Sequence, residues 1–497
     1  MSSLRINGHS ASAPTPTTSF PRLGILNDYV RIPYANGSSF ASQFLYREFR
    51  KRGSDVTVIG ASDPAATPAE LPPNHVCFSS LPLRNHPGVR IPMPDRQGLR
   101  KMAAAKLSMV VGQTGSALLD AGLWLRRTEG VPLVCVNTIH LPSVYDVLLP
   151  ESLHQSPAAH ALMQQRLIPW VERKTADIYN GSDGLVVLSS GLKDYWQDRG
   201  VKVPISVIPR SVDPNVFDKR PESDPFPAWS RRGARLLVAC RHTREKNVLR
   251  LISIFAERIL PRQPDACLAL VGDGPDHDLF KAHARKLQVE ERCIFPGEVS
   301  LPDMPAWYRA ADLFVYTSLS ETYGQVVSEA LWCGLPVVAL RDGKGVSDQI
   351  LHGQDGYLVD PVGPDSDAQF AEHVLRLVND SGLRRTLSAC AEKRARHRAD
   401  PQRCIRAYEQ AFTAGAEHCR NTWRSGSGLE RGFPVARWLA MHSLLYAAGW
   451  LRPPSTVNRH GRPQPVWDAP ERRSDTSEVR SRVDRVTAGG VKLRLVS

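Results

Sequence analysis

Short apolar runs alternate with helical stretches along most of this chain, in two sets separated by a proline-rich connector. The first set begins at residues 23–26 and the second at residues 235–239, and the connector runs from Asp213 to Pro227. Such alternation is typical of parallel sheets that carry helices on both faces. The pattern therefore predicts an α/β chain with two doubly wound, Rossmann-like domains, and the polar connector marks the boundary between them.

The chain divides into four predicted parts. Residues 1–20 are rich in Ser, Thr, Pro and Ala and are expected to form a disordered leader, without the apolar core of a signal peptide. Residues 21–212 and 213–415 are the two predicted domains, each of a usual domain size. Residues 416–497 form a basic extension with an apolar segment at 433–451, after which we expect disorder. Because ligands bind such sheets outside the carboxyl ends of the strands, two facing domains predict a cleft that holds the chemistry.

Length and cysteine usage restrict the class of protein further. The 497 residues contain no apolar run of 18 or more, so no membrane span is expected. The nine cysteines are odd in number and scattered, and several, such as Cys135 and Cys240, lie within apolar runs. Buried cysteines of this kind behave as small hydrophobes, which favours a reduced, cytoplasmic chain without a zinc site.

The formal charge of +13 is unevenly distributed. Residues 421–497 hold 13 Lys and Arg against 6 Asp and Glu, which leaves +7 on the tail alone, and a second basic stretch runs through residues 84–106. Nucleic acid and an anionic membrane surface both attract such charge. A solvated basic surface with a flexible tail explains the tail equally well.

The apolar segment 433–451 has two interpretations. A helix that packs back on the body of the protein is the first. The second is a helix on a membrane surface, with Trp438 and Trp450 at the lipid interface and the flanking arginines on lipid phosphates.

Two glutamates eight residues apart, Glu321 and Glu329, flank a Tyr-Gly turn between a buried strand pattern and a short apolar helix. A strand–turn–helix unit points the first N–H groups of the helix at whatever lies over the strand ends, and such helix N-termini bind phosphates. Ionised carboxylates beside that position are strong acceptors for sugar hydroxyls. Phosphate and hydroxyls together indicate a nucleotide-sugar.

Two cations follow the first strand of the second set, Arg241 and Lys246, five residues apart. Arg can donate to two phosphate oxygens at once and Lys acts as a point charge, so the two could converge on one diphosphate. A basic surface loop is the alternative. Since the Glu321 unit belongs to the same predicted sheet edge, we favour the phosphate site.

Residues 271–275, Val-Gly-Asp-Gly-Pro, resemble the start of a dinucleotide fingerprint without its third glycine. Asp276 and Asp278 also imitate the Asp-x-Asp metal motif of other sugar transferases. Acidic residues in the first turn of a helix are favoured by the helix dipole, and we prefer that interpretation. Neither hydride chemistry nor a metal is therefore expected.

Two residues in the first domain are weaker candidates. His140 follows the strand at 133–136 in a strand-end loop, where functional residues concentrate. Gly37 lies between the first strand and the first helix and would let the backbone approach a ligand closely.

The order of these motifs resembles the GT-B glycosyltransferases of the large retaining family 4, over residues 23–415. The similarity rests on the following segments: residues 318–324 with Glu329 and Ala330, residues 334–338, residues 271–275, residues 295–297, Ile208 and Pro209 with Val212, Asp213 and Phe217, and Arg241 with Lys246. The resemblance implies a GT-B fold, two Rossmann-like domains facing each other across a cleft.

The resemblance also implies roles for the candidate residues. Glu321 would contact the hydroxyls of the donor sugar and Glu329 those of the ribose. Arg241 and Lys246 would neutralise the departing diphosphate. The remaining donor-side residues would be His140 from the other domain, Gly37, the amides near Gly324, Gln325 and Val326, and the base region at Ile294 and Pro296.

The chain departs from the family pattern twice. Asn36-Gly37 stands where two glycines are common, which affects contacts on the acceptor side. Arg210-Ser211 stands where Asn-Gly is common, which we expect to affect only the domain connection.

The function implied by the resemblance is metal-independent transfer of a hexose, with retention, from a UDP- or GDP-linked donor to an acceptor hydroxyl. The acceptor is a lipid or lipid-linked saccharide, a soluble sugar or a small metabolite. A non-catalytic nucleotide-sugar-binding protein on the same fold is the alternative from another class. We expect no cofactor and no nucleic-acid partner, and a cytoplasmic location that includes the inner face of the plasma membrane.

Overall fold

The computed structural model describes residues 20–32, 37–82, 90–115, 117–138, 157–424 and 427–450, together with Trp467. Two parallel sheets dominate these residues. The GT-B architecture predicted from the alternation of apolar and helical stretches is confirmed, with one sheet in each half of the chain. The domain boundaries themselves remain a prediction.

The first sheet has seven parallel strands in the order β3-β2-β1-β6-β7-β8-β9. A small antiparallel hairpin, β4 with β5, follows β3. The strands are β1 Arg22–Tyr29, β2 Asp55–Ala61, β3 His75–Phe78, β4 Ser80–Pro82, β5 Arg90–Pro92, β6 Met109–Gly112, β7 Leu133–Val136, β8 Gly184–Val187 and β9 Ile205–Val207.

Six helices alternate with these strands in the part of this half that the structure describes. They are α1 Gly37–Lys51, α2 Arg96–Ala104, α3 Leu119–Glu129, α4 Pro157–Leu162, α5 Ile168–Asn180, which a π-helical turn joins to α4, and α6 Ser190–Asp198. The helix α1 ends beside Gly53, whose positive φ of 84° suits a glycine.

The second sheet has six parallel strands in the order β12-β11-β10-β13-β14-β15. They are β10 Arg235–Ala239, β11 Cys267–Val271, β12 Cys293–Gly297, β13 Leu313–Tyr316, β14 Val337–Leu340 and β15 Gly356–Val359. Its helices are α7 Pro214–Phe217, α8 Val248–Ile254, α9 His277–Lys286, α10 Met304–Ala310, α11 Gln325–Trp332, α12 Ser366–Asn379 and α13 Ser381–Arg398.

Each sheet reverses its strand order once, between β1 and β6 in the first sheet and between β10 and β13 in the second. A crevice opens at such a reversal because the connections on either side leave toward opposite faces, and ligands of open α/β sheets bind there. The two loops that carry Lys246 and Glu321 follow β10 and β13, so they flank the reversal of the second sheet.

The chain then returns to the first sheet. Helix α14, Pro401–Thr422, packs on β7 and β8. Its Phe412 also stacks on Phe49 of α1, with ring centroids 5.4 Å apart. The chain thus passes between the lobes twice. The two passages run side by side, because Val212 N donates to the Ala399 carbonyl at 3.0 Å.

The last described helix, α15 Gly428–Trp450, also packs on the first domain, mainly on α3. Trp438 is fully buried there, 4.9 Å from the Phe78 ring, and its Nε1 donates to the Pro92 carbonyl at 2.9 Å. The interpretation that this segment packs back on the body is therefore confirmed for one side of the helix. The placement of Trp438 at a lipid interface is wrong, because its indole fills the core.

Candidate active site at the carboxyl edge of the second sheet

Lys246 and Glu321 form an ion pair at the reversal of the second sheet, with 2.6 Å between Lys246 Nζ and Glu321 Oε1. Lys246 ends a 3-10 turn after β10, and Glu321 lies five residues beyond the end of β13. The two loops are tied together, since Thr317 Oγ1 donates to the Asn247 carbonyl at 3.0 Å. The structure thus brings together one of the two predicted cations and one of the two predicted carboxylates.

Two hydroxyls complete the surroundings of the Glu321 carboxylate. Tyr316 Oη and Ser318 Oγ both donate to Glu321 Oε1, at 2.7 and 2.9 Å. Burial acts to raise the pKa of Glu321, but the Lys246 ammonium and the hydrogen bonds from Lys246, Tyr316 and Ser318 outweigh it and lower the pKa below its ordinary value. The same pairing raises the pKa of Lys246 despite its burial. Both groups are therefore charged at neutral pH.

Gly324 shapes the turn that follows. Its φ of +79° lies in the left-handed region, where it caps the N-terminus of α11. A Cβ at this position would meet Val346 Cγ2 at 3.3 Å, and the Gly324 carbonyl accepts from Gln349 Nε2 at 3.2 Å. No acidic residue occupies the first turn of α11, so its positive end is left for an anion.

Glu329 lies on α11 but in a different environment. Its carboxyl is buried, with 6% of the residue exposed, and accepts from Tyr308 Oη at 2.9 Å. Burial raises its pKa to about 7, although hydrogen bonds from Tyr308 and Gln325 oppose the change. Unlike Glu321, this group titrates near neutral pH.

The other predicted residues are spread around this centre. Arg241 is an exposed residue of the loop after β10, five residues before Lys246. Ile294 and Pro296 lie on the edge strand β12, with only Pro296 near its carboxyl end, and Gly37 begins α1 in the first domain. His140 lies outside the described residues. Gln325 and Val326 open α11.

The interdomain connection contacts this site directly. Tyr323 Oη donates to the Arg210 carbonyl at 3.0 Å, and Gln325 Nε2 donates to the Ser211 carbonyl at 3.2 Å. From the other domain, the Thr138 carbonyl accepts from Thr322 Oγ1 at 3.4 Å. The site loop therefore rests on the carbonyls of Arg210 and Ser211. Any residue at these positions would supply such carbonyls, so the expectation that the departure affects only the domain connection stays a prediction.

Three residues of the site were not predicted from the sequence: Tyr308, Tyr316 and Ser318. Tyr316 and Ser318 lie at the end of β13, where strand-end position alone could have indicated them. Tyr308 lies on α10, 21 residues before Glu329, and no spacing rule links the two.

The two facing Rossmann-like sheets define a protein of the GT-B fold, and comparison with known families agrees. Residues 220–394 match the family described as glycosyl transferases group 1, and residues 36–216 match Glycosyltransferase Family 4. Taken together, the two matches cover most of both lobes. The chain belongs to the group 1, family 4 glycosyltransferases.

Curated relatives act on different acceptors. Alpha-monoglucosyldiacylglycerol synthase of Streptococcus pneumoniae is 27% identical over 242 residues, 47% of this chain and 52% of the relative. D-inositol 3-phosphate glycosyltransferase of Pseudarthrobacter chlorophenolicus is 28% identical over 353 residues, 66% of this chain and 79% of the relative. The chain thus spans about half the length of the first relative.

Solved structures share the fold. The Anabaena protein Alr3699/HepE, solved with UDP and glucose, has a TM-score of 0.59 at 20% identity, over 79% of this chain and 99% of that chain. Sucrose-phosphate synthase from Thermosynechococcus elongatus gives the same TM-score, identity and coverage. These likenesses establish the GT-B fold.

Proposed function

We propose that this protein is a retaining hexosyltransferase that takes a UDP- or GDP-linked donor and forms an α-linkage to an acceptor hydroxyl. The observation that carries the proposal is the Lys246–Glu321 ion pair beside the N-terminus of α11. A fixed cation and helix amides bind a diphosphate, while a permanently ionised carboxylate accepts hydroxyls of the sugar.

The reaction breaks the bond between the anomeric carbon and the diphosphate. Negative charge grows on the leaving phosphate, so preorganised donors aimed at it supply the main electrostatic stabilisation. Lys246, Arg241 and the first amides of α11 take this role in the proposal, which needs no metal. Glu321 holds the sugar hydroxyls, and Glu329 the ribose hydroxyls, which requires a local movement of its buried carboxyl.

Retention follows from the family resemblance. In the proposed step, the leaving phosphate takes the proton of the acceptor hydroxyl on the same face as the bond that breaks, so no side chain is assigned as the base. Closure of the lobes would exclude water and protect the donor from hydrolysis.

The acceptor is proposed to be a lipid or lipid-linked saccharide, at the inner face of the membrane. The name of one relative indicates diacylglycerol and that of another an inositol phosphate, so a small soluble acceptor is the second candidate. Among the described helices, none has both the length and the apolar character needed to cross a bilayer.

The first experiment is a thermal-shift screen of UDP- and GDP-linked hexoses. A donor at 100 times its dissociation constant adds about 2.7 kcal/mol to the free energy of unfolding, which identifies the nucleotide and the sugar. Incubation of that donor with diacylglycerol, and separately with inositol phosphate, in the presence of a chelator then tests transfer. Binding without hydrolysis or transfer would instead support the non-catalytic alternative, and no stabilisation by any donor would contradict both.

A further inference from the structure

Helix α15 has two apolar sides, and the first domain covers one of them. Pro434, Trp438 and His442, spaced four residues apart, are buried on that side. Arg437, at the edge of this side, also binds the first domain, because its Nε donates to the buried Asp120 carboxylate at 2.9 Å. Arg437 and the Trp438 indole thus attach this helix to the first domain.

The opposite side of α15 is apolar and exposed. Leu429, Phe433 and Leu444 lie on it with 90%, 55% and 63% of their surface accessible, and Ala436 and Ala440 lie between them. At 100° per residue these five positions fall within one stripe, centred opposite the buried Trp438. No charged residue occurs from 438 to 450. A continuous apolar stripe of this kind marks an interaction surface.

A cationic surface lies on the same face of the first sheet as this helix. Helix α2 exposes Arg96, Arg100 and Lys101, and Lys106 follows it. No Asp or Glu occurs from residue 96 to 115. Helices α2 and α15 pack on the same core cluster and both contact α3, so they belong to one helical layer, and their solvent sides face outward together.

We propose that the outer stripe of α15 inserts into the surface of a bilayer that contains anionic phospholipid, with the cations of α2 on the lipid headgroups. Apolar residues in the interface and cations on anionic lipid are the two contributions that hold surface helices on membranes. An anionic bilayer offers an apolar interior to the stripe and negative headgroups to the cations. A contact between two copies through this stripe would bury the apolar side chains but would place like surfaces together and leave the cations without opposite charge.

Co-sedimentation with vesicles tests this surface. We expect the full chain to bind phosphatidylcholine vesicles that contain phosphatidylglycerol, and to bind pure phosphatidylcholine weakly. Phe433→Glu and Leu444→Glu should each lower the partition coefficient by about tenfold or more, from the lost apolar burial. Arg100→Glu with Lys101→Glu should lower it by at least about fivefold per charge, an effect that added salt removes.

Matched controls lie on the second domain. Val362 is 87% exposed, so Val362→Glu adds the same charge in place of another well-exposed apolar residue. Arg231 and Arg232 are an exposed basic pair there, and Arg231→Glu with Arg232→Glu should leave vesicle binding unchanged. Thermal midpoints and donor binding in solution verify that all variants are folded.

Three outcomes would overturn the proposal: no vesicle binding by the full chain, equal loss in the controls, or a dimer in light scattering that Phe433→Glu dissociates. The last would identify the stripe as an interface between copies. Vesicle binding requires no sugar transfer, so this proposal and the proposed function can fail independently.

Discussion

Glu321 and Glu329 are eight residues apart on one turn and helix, yet their environments shift their pKa values in opposite directions. Glu321 accepts from an ammonium and two hydroxyls, which lower its pKa. Glu329 has a phenol and an amide as its partners, and burial raises its pKa to about 7. Burial alone therefore does not decide the charge of a carboxyl; a cation within hydrogen-bond distance does.

This difference separates two tasks within the proposed site. Glu321 and Lys246 are already charged before any ligand binds. Their protonation states therefore need not change on binding, as electrostatic preorganisation requires. Glu329 becomes a strong acceptor for hydroxyls only after it loses its proton, so donor binding at this residue is coupled to pH.

The largest effect is expected for Lys246→Met. The change removes the cation proposed to face the diphosphate and leaves Glu321 buried without its counter-charge, so turnover should fall by roughly 100–1000-fold. The measurement is the turnover number at saturating donor. Lys202→Met, at an exposed lysine of the first domain, is the control and should be unaffected. Near-normal turnover of Lys246→Met would exclude the assigned role.

A pH dependence of donor affinity is expected next. Hydroxyls donate to the ionised form of Glu329, so affinity for the nucleotide-sugar should rise about tenfold per pH unit below pH 7 and level off above it, with release of a proton on binding. Calorimetry at several pH values measures this directly.

Glu329→Gln should bind the donor with an affinity independent of pH. The same variant tests stability, because a raised pKa in the folded state makes the wild type lose stability, relative to Glu329→Gln, as pH rises from about 4.5 to about 7. A pH-dependent affinity that persists in Glu329→Gln would assign the titration to another group.

Tyr308→Phe should move this titration by a smaller amount. The Tyr308 hydroxyl stabilises the ionised carboxylate of Glu329, so its removal should raise the midpoint further, by about one pH unit. Tyr179→Phe removes a buried phenol of the first domain and is the matched control. An unchanged midpoint in Tyr308→Phe would show that Glu329 does not depend on this hydrogen bond.

The smallest effect concerns the turn between the two glutamates. Gly324→Ala forces a left-handed conformation on alanine, at about 1–2 kcal/mol of the free energy of unfolding. Gly353→Ala carries the same strain at a φ of 81° with no atom within 4 Å of the added Cβ. Urea titrations of both variants separate backbone strain from crowding against Val346. Equal donor affinity of Gly324→Ala and the wild type would show that the turn does not position the helix amides.

The sequence predicted much of this fold because parallel strands buried on both faces are continuous apolar runs. The central strand β6 was not predicted, because Met109–Gly112 follows a basic stretch that suggested a surface. The hairpin β4–β5 was not predicted because each of its strands is only three residues long. The pairing of Lys246 with Glu321 was predictable because loops after neighbouring strands meet at one sheet edge.

The opposite pKa shifts of Glu321 and Glu329 could not be predicted from the sequence. They depend on the Tyr308 side chain, which reaches Glu329 only through the packing of α10 on α11, and on which rotamer of Glu321 meets Lys246. The second interpretation of segment 433–451 placed Trp438 at a lipid interface. The sequence could not exclude this, because α15 is apolar on both sides and the sequence does not show which side the protein covers.

The double passage of the chain between the lobes restricts how they can move. With Val212 hydrogen-bonded to the Ala399 carbonyl, and the Cys404 thiol 3.2 Å from the Pro209 carbonyl, the lobes are joined by a two-stranded strap and not by a single thread. Two adjacent connecting segments allow the lobes to hinge about one axis but resist rotation of one lobe against the other. We therefore expect the cleft to open and close by a hinge motion about one axis. The two lobes would then return to the same relative position in each catalytic cycle.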